Sequence, residues 1–582
     1  MLLHIFRVRA ALLVLALLVV PSGALAQRLP KLDSALSASV RANETGTKQV
    51  IIRATSAGLP DLRAALQEAG DPIVRAHGLI NALTTRVPAQ ALEGLSRMPF
   101  VASISSDAPV AALQSSSSDM TVRATLGLPM QSPTGNRIGV AVIDSGLEAS
   151  PEFGDRINGF YDFTQGGQAF TPSDGYGHGT HVAGLIAGDG DNSAGKKYRG
   201  LAPKARLIAL KVLDQNGSGI TSVVISAIEY AIANKSRLGI DIINLSLGHP
   251  ILEPSATDPL VQAVEAAVRA GIVVVAAGGN YGVSAATGLP AYAGIVSPGN
   301  APSAITVGAV KTVDTNSRTD DRVAPYSSRG PTWYDGRAKP DLVAPGHNLV
   351  AAAATSSALY INNPSLRVGN TYMRLSGTSM ATGVVSGVVA LVLEANRTAF
   401  PSAPLMPNAV KAILQYSAIP VRDEQGVEYD VLTEGAGSVN PAGAIELATR
   451  IDTSMPLASW WLTSGVDAYT VIESETLPWA ETVDWGDALS EGPVLSYNEL
   501  AWTQNIVWGS NIVWGNNIVW GNNIVWGSNI VWGNNIVWGN ALIGASDGSS
   551  TTWGVAGSGA SATVWGTLEG NVSSVGSVLT TP

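Results

Sequence analysis

No cysteine occurs among the 582 residues. Disulfides, thiol nucleophiles and cysteine-bound metals are therefore excluded, and stability must come from core size or bound ions. Positive charge is also scarce: 35 Lys and Arg stand against 45 Asp and Glu, for a net charge of -10. With no basic stripe to neutralise phosphates, no nucleic-acid partner is expected. Charged residues make up 14% of the chain and hydrophobic ones 46%, which rules out a mainly disordered polymer. Long unbroken apolar runs are missing too, except at the start. Arg7 and Arg9 precede an apolar run from Ala10 to Val20, followed by Pro21 and the small-residue site Ala24-Leu25-Ala26. That is the pattern of a secretory signal peptide, residues 1–26, with an apolar core shorter than the ~20 residues of a membrane helix. The expected product is secreted (extracellular, cell surface or periplasm) and has no transmembrane helix.

What is abundant is glycine, 62 residues, as befits many tight turns or repeats. The length suggests roughly three or four domains. From Lys48 to Val110 strand-like and helix-like stretches follow one another in β-α-β-β-α-β order, a small α+β unit. The polar "QSSSSD" at 114–119 reads as an exposed linker. From Arg137 to about Thr449, nearly continuous apolar runs such as "RIGVAVIDSG", "ARLIALKVL", "IDIINLSLG" and "GIVVVAAGGN" alternate with helical periodicity. Strands buried on both faces and separated by helices predict an α/β domain with a largely parallel sheet. Ligands in such sheets bind beyond the carboxyl ends of the strands. Asp144, Ser246 and Asn280 end three of these runs, and His178 and His181 lie in the Gly-rich "GYGHGTHVAG".

Each of these residues has a plain structural reading. Asp and Asn after a strand are common turn residues, and Ser379 in "SGTSMATGVVSG" resembles any helix cap. Acyl transfer, however, needs a nucleophile, a base, a carboxylate to orient the base and a donor for the oxyanion. Ser379, His178, Asp144 and Asn280 are the residue types for those four roles. The blocks "VAVIDSG", "HGTHVAG", "VVAAGGN", "SSRGPT" with "KPDLVAPG", and "GTSMA" resemble those of the subtilisin-like serine proteases (subtilases, peptidase S8), in the Asp, His, Ser order known for subtilisin.

The resemblance spans roughly residues 120 to 450. It implies a subtilisin-like α/β fold and a secreted serine endopeptidase that cleaves protein or peptide substrates. Asp144 would orient the base, His178 would be the base, Ser379 the nucleophile, and Asn280 with the Ser379 backbone N–H the oxyanion donors. His181 would be a structural neighbour. Ser246, Leu247 and Gly248 would form an edge to which extended substrate pairs. The unit ahead of the domain would be an inhibitory propeptide. The chemistry would use no cofactor, while the turn carrying Asp189, Asp191 and Asn192 is a candidate for a structural calcium, with Lys196 and Lys197 unfavourable neighbours. One departure stands out: the family's usual proline four residues after the nucleophile is Gly383 here, a change to the rigidity of the nucleophile's support and not to its chemistry.

Between Asn505 and Gly539 the hexad NIVWG(N/S) repeats in tandem. Six residues do not close on one helix face but are a multiple of the strand period, so a β-solenoid or short-stranded sheet is expected. Such a repeat could serve self-association or surface attachment. The expected organisation is signal peptide 1–26, inhibitory propeptide 27–112, catalytic domain 113–450, linker 451–504, repeat 505–540 and tail 541–582. The competing expectation is a surface adhesin or scaffold in which the tail carries the function and the protease domain serves maturation.

Overall fold

The computed structural model describes residues 31–112, 121–128, 132–285, 287–313, 315–457 and 459–484, together with short pieces beyond. The expected signal peptide, the expected "QSSSSD" linker and most of the repeat and tail lie outside the described residues.

The small N-terminal unit forms as its sequence pattern predicts. Thr47–Ala54 pairs antiparallel with Ala82–Pro88 on one side and Val101–Ser106 on the other, and Ile73–His77 completes the four-stranded sheet. Val50 and Ile52, alternate residues of the central strand, face Leu62 and Leu66 of helix Leu59–Ala69. Ile51, between them, faces the other way and joins a core shared with the large domain. A further helix, Ser34–Arg41, is capped by Asp33, whose carboxylate accepts from Leu36 N. The sheet lies on helix Thr221–Ala233 of the large domain and against the turn ahead of helix Pro259–Arg269. Arg75 donates to Ser222 O and Ser226 Oγ, Leu79 N to Glu229, and Arg53 to Ala256 O.

The large domain is built on a nine-stranded sheet. Gly139–Asp144 lies inside it, parallel to Arg206–Lys211 on one side and Ile242–Leu245 on the other. Ile157–Asp162, Val273–Ala277, Ile305–Lys311 and Leu342–Pro345 extend the parallel order outward, and the short pieces Arg322–Val323 and Gln168–Ala169 are antiparallel. Alternation along the strands feeds two cores. Ala141, Ile143, Ile243 and Leu245 meet helices Thr221–Ala233 and Pro259–Arg269, while Val140, Val142, Val273 and Val275 meet His178–Ala187 and Thr378–Ala399. Both faces are covered, which is why the strands read as unbroken apolar runs. Helix Thr378–Ala399 has the length and composition of a membrane span, yet protein buries 94% of its most apolar window. It is a core helix.

The expected linker 451–504 needs correction in its first half. Ile451 bridges Leu462, Trp461 is wholly buried in the main core, and Tyr469–Ile472 forms a hairpin with Glu475–Pro478. Trp479 lies on Gly443, where an added Cβ would sit 2.7 Å from its ring, and its indole N–H donates to Thr470 Oγ1 at 2.8 Å. Glu475 accepts from Arg318 N and the Ser317 and Thr319 hydroxyls. Small and polar composition suggested a spacer, but two tryptophans with satisfied N–H groups anchor it as a strap. The catalytic domain's packed part therefore runs past 450 to at least Asp484.

In the repeat, Val513–Trp514, Ile518–Val519, Ile524–Trp526 and Ile530–Trp532 pair antiparallel in that order, with Val513 opposite Val519 and Val525 opposite Val531. The described pieces form a short-stranded antiparallel sheet.

Candidate active site

Asp144 is the last residue of its strand, and His178 the first of helix His178–Ala187. Two glycines let these ends meet. Gly177 has φ of 103°, and a Cβ on Gly179 would sit 2.2 Å from Gly146 O. Such contact admits no side chain. His178 Nδ1 lies 2.8 and 2.9 Å from the two Asp144 carboxylate oxygens, with both residues buried. Asp144 Oδ1 also accepts from Ser145 N at 2.7 Å. The carboxylate fixes the imidazole with its proton on Nδ1, leaving Nε2 as the acceptor. That Nε2 is buried without a partner.

Asp174 was missed from the sequence. Its carboxylate accepts from Ser145 Oγ, Gly177 N, Thr180 N and Thr180 Oγ1 at 2.7–2.9 Å. It thus clamps the His178 helix start to the Asp144 strand end. The available signal was an aspartate just ahead of a Gly-rich helix start, the position of a capping residue. His181, one turn along, places Nε2 3.1 Å from both Leu349 O and Met373 O. Burial, and next the nearby His178, push its pKa down to about 3.

Ser379 is the second residue of helix Thr378–Ala399, behind Gly377 at φ 152°. Its backbone N–H is among the free amides of the first turn, where the helix dipole favours negative charge. Its hydroxyl donates to Ser246 O at 2.9 Å, and Ser246 Oγ donates to Ser379 O at the same distance. No hydrogen bond joins Ser379 Oγ to His178 Nε2. Asn280 follows strand Val273–Ala277, and its Oδ1 accepts from Thr378 N and Thr378 Oγ1, each at 3.0 Å. Two donors on that oxygen settle the amide's orientation. Its Nδ2 is left buried and unpartnered.

Leu247 and Gly248 begin strand Leu247–Pro250, which pairs antiparallel with Pro109–Ala112, the tail of the small unit: Leu247 opposite Ala112 and Gly248 opposite Ala111. Ser218–Ile220 pairs with the other edge of that tail. Ser246 differs from its two neighbours, because its side chain and its carbonyl both turn to Ser379. Gly383 meets the His178 helix: an added Cβ would lie 3.3 Å from Val182 O and Val182 Cγ1. The glycine lets the two helices pack closely.

The turn considered for calcium is already partnered by cations of the chain. Lys196 pairs with Asp191, Arg156 lies 3.7 Å from Asp189, and Glu152 accepts from Gly190 N and Asn192 N. Among the described residues no group of three or more His, Cys, Asp or Glu converges as a metal site. Lys196 and Arg156 thus compete for the two carboxylates that a cation at this turn would use.

A parallel α/β sheet with a carboxylate-held imidazole and a helix-start serine beyond its strand ends is the architecture of a serine endopeptidase. The chain belongs to the subtilase family, whose family model (Peptidase_S8) matches residues 135–443. It is 41% identical over 320 residues to serine protease AprX of Bacillus subtilis (strain 168), covering 54% of this chain and 67% of that protein. It is 36% identical over 361 residues to subtilisin E of the same strain, covering 61% of this chain and 80% of that protein. Among solved structures, fervidolysin from Fervidobacterium pennivorans, described as a keratinolytic enzyme related to subtilisin, is similar in fold with a TM-score of 0.53 at 20% identity. That match covers 69% of this chain and 61% of that one.

Proposed function

We propose that the chain is the precursor of a secreted serine endopeptidase in which Ser379 attacks the scissile carbonyl. The observation that carries the reading is a pair of buried polar atoms without partners: His178 Nε2, on the helix packed against the Ser379 helix, and Asn280 Nδ2, whose Oδ1 accepts from Thr378 N at that helix's start. A buried unmet donor or acceptor costs about 1–3 kcal/mol, so both are best understood as waiting for a reacting group.

Ser379 Oγ turns from Ser246 O to His178 Nε2, which takes its proton as the Oγ–carbon bond forms. Negative charge on the carbonyl oxygen is received by Asn280 Nδ2 and Ser379 N–H. His178 passes its proton to the leaving amine, and water then releases the acyl group by the same steps in reverse. Asp144 keeps the imidazole oriented throughout. Nucleophile, base and donors all come from the chain, and the reading needs no cofactor.

The substrate pairs along Ser246–Gly248, as Pro109–Ala112 does at Leu247 and Gly248. Residues 27–112 act as an inhibitory propeptide, because their tail occupies that edge in the manner of an extended substrate. The adhesin or scaffold reading is not favoured, since the matching relatives are proteases across the whole central region; the repeat is an attachment or self-association element joined to an enzyme. The test is the Ser379→Ala precursor, purified with no other protease present. It should stay at full length after signal removal and hydrolyse no casein, while the parent processes itself and is stopped by a serine-directed sulfonyl fluoride. Self-processing by Ser379→Ala would sink the assignment.

A further inference from the structure

Three buried side chains stand in line behind the nucleophile. Ser386 Oγ lies 2.9 Å from Asn244 Oδ1, Asn244 Nδ2 lies 3.0 Å from Ser246 Oγ, and Ser246 Oγ lies 2.9 Å from the carbonyl oxygen of Ser379. None of these residues is exposed. The direction of every proton follows from the last contact. A backbone carbonyl only accepts, so the single hydroxyl proton of Ser246 goes to Ser379. Ser246 Oγ must then accept from Asn244 Nδ2, which turns Asn244 Oδ1 toward Ser386 and makes the Ser386 hydroxyl the donor. The relay starts at Ser386 and ends on the nucleophile's own backbone.

Two peptide planes flank the Ser379 Cα. Thr382 Oγ1 holds the first at Thr378 O, at 2.7 Å, and Ser246 holds the second at Ser379 O. With both planes fixed, the φ and ψ of residue 379 are fixed, and so are the directions of its N–H and its Cα–Cβ bond. One is the oxyanion donor and the other carries the attacking oxygen. Ser379, Thr382 and Ser386 stand at i, i+3 and i+7, on one face of the helix. Gly383 lies inside that span, where a residue without Cβ leaves the backbone least restrained.

We propose that Ser386 and Asn244 are positioning residues for Ser379, acting through Ser246 to fix the peptide plane that follows the nucleophile. The proposal rests on the endopeptidase reading and deepens it. A role confined to packing would lower the melting temperature and leave turnover per active site unchanged. A positioning role lowers turnover itself, because small errors in reacting geometry are costly in rate.

The experiment compares mature parent enzyme with Ser386→Ala, Ser386→Thr, Ser246→Ala and the Ser386→Ala/Ser246→Ala pair. Active sites are counted with a serine-directed sulfonyl fluoride, and kcat and KM are measured on a small peptide anilide well below the melting temperature. Ser386→Ala should lower kcat per site by about 3- to 30-fold with KM within about twofold, and threonine, which keeps the hydroxyl, should restore most of the loss. The paired variant should be little worse than Ser246→Ala, because both changes cut one relay. A Ser386→Ala kcat within about twofold of the parent, or additive losses in the pair, would overturn the proposal. Should Ser386→Ala not fold, Asn244→Asp keeps the shape but offers Ser246 no donor; the same fall is expected, and an unchanged kcat overturns the relay. Ser379→Ala separates the two claims. Turnover persisting there sinks the nucleophile, whereas turnover abolished there beside an unchanged Ser386→Ala sinks only the relay.

Discussion

The His181 imidazole shows how one buried side chain links the site to stability. Its pKa falls from 6.5 to about 3 on folding, through burial first and His178 second. The folded chain therefore binds fewer protons at this position than the unfolded one, and stability is lost as pH falls from about 6.5 toward 3. Urea unfolding of the inactive Ser379→Ala precursor should give a lower free energy at pH 5 than at pH 7.5, and His181→Gln should shrink that difference. An undiminished difference in His181→Gln would place the acid sensitivity elsewhere. At this scale the sequence singled out Asp144, His178, Asn280 and Ser379, where a residue's type and its block coincide, and the fold brings Asp144 to His178 and Asn280 to the start of the Ser379 helix. It was silent on Asp174, Thr382 and Ser386. Their hydroxyls and carboxylate act on groups brought near by folding, and Asp, Thr and Ser are common on any surface.

Among elements, the strap Ile451–Asp484 changes where the enzyme can be cut. A chain ending at residue 455 loses Trp461 and Trp479, both buried, along with the Glu475 contacts to the 317–319 loop. It should melt lower or fail to fold and should cleave a peptide substrate poorly, whereas a chain ending near residue 500 should match the parent. Equal activity and melting temperature for the two would show the strap to be dispensable. Trp461→Ala alone should cost about 3–5 kcal/mol of stability, as for large aromatics removed from cores. The parallel strands were legible because burial on both faces writes itself as unbroken Val, Ile and Ala. The strap was not, since its order comes from two widely spaced tryptophans and from contacts more than 150 residues away in sequence, as between Ser317 and Glu475.

At the level of the whole molecule, the contact between the small unit and the large domain buries carboxyls from both. Glu253 is held well above the usual carboxylate range, by burial first and then by Asp258 and Asp33. Around it lie Asp33 at the start of helix Ser34–Arg41, Arg53 on the central strand of the small unit, Ser105 on the last one, and Asp258 capping helix Pro259–Arg269. Asp335 accepts from Ser255 N beside them. The docked state holds a proton that exposed Glu253 would give up, so docking is strongest at acid pH and weakens as pH rises through the raised value. Inhibition of mature enzyme by added residues 27–112 should be weaker at pH 9 than at pH 6, and Glu253→Gln should inhibit with less pH dependence. An unchanged pH dependence in Glu253→Gln would rule this group out.

The order of strands in the large sheet also sets a timetable. Gly139–Asp144 leaves the ribosome first yet finds its neighbours only when Arg206–Lys211 and Ile242–Leu245 arrive, and Ser379 comes later still on the helix that fills the core. Pairing between such distant segments is slow. A chain stalled anywhere before that helix has neither Ser379 nor a closed core, so the site cannot assemble until synthesis has passed well into the second half of the domain.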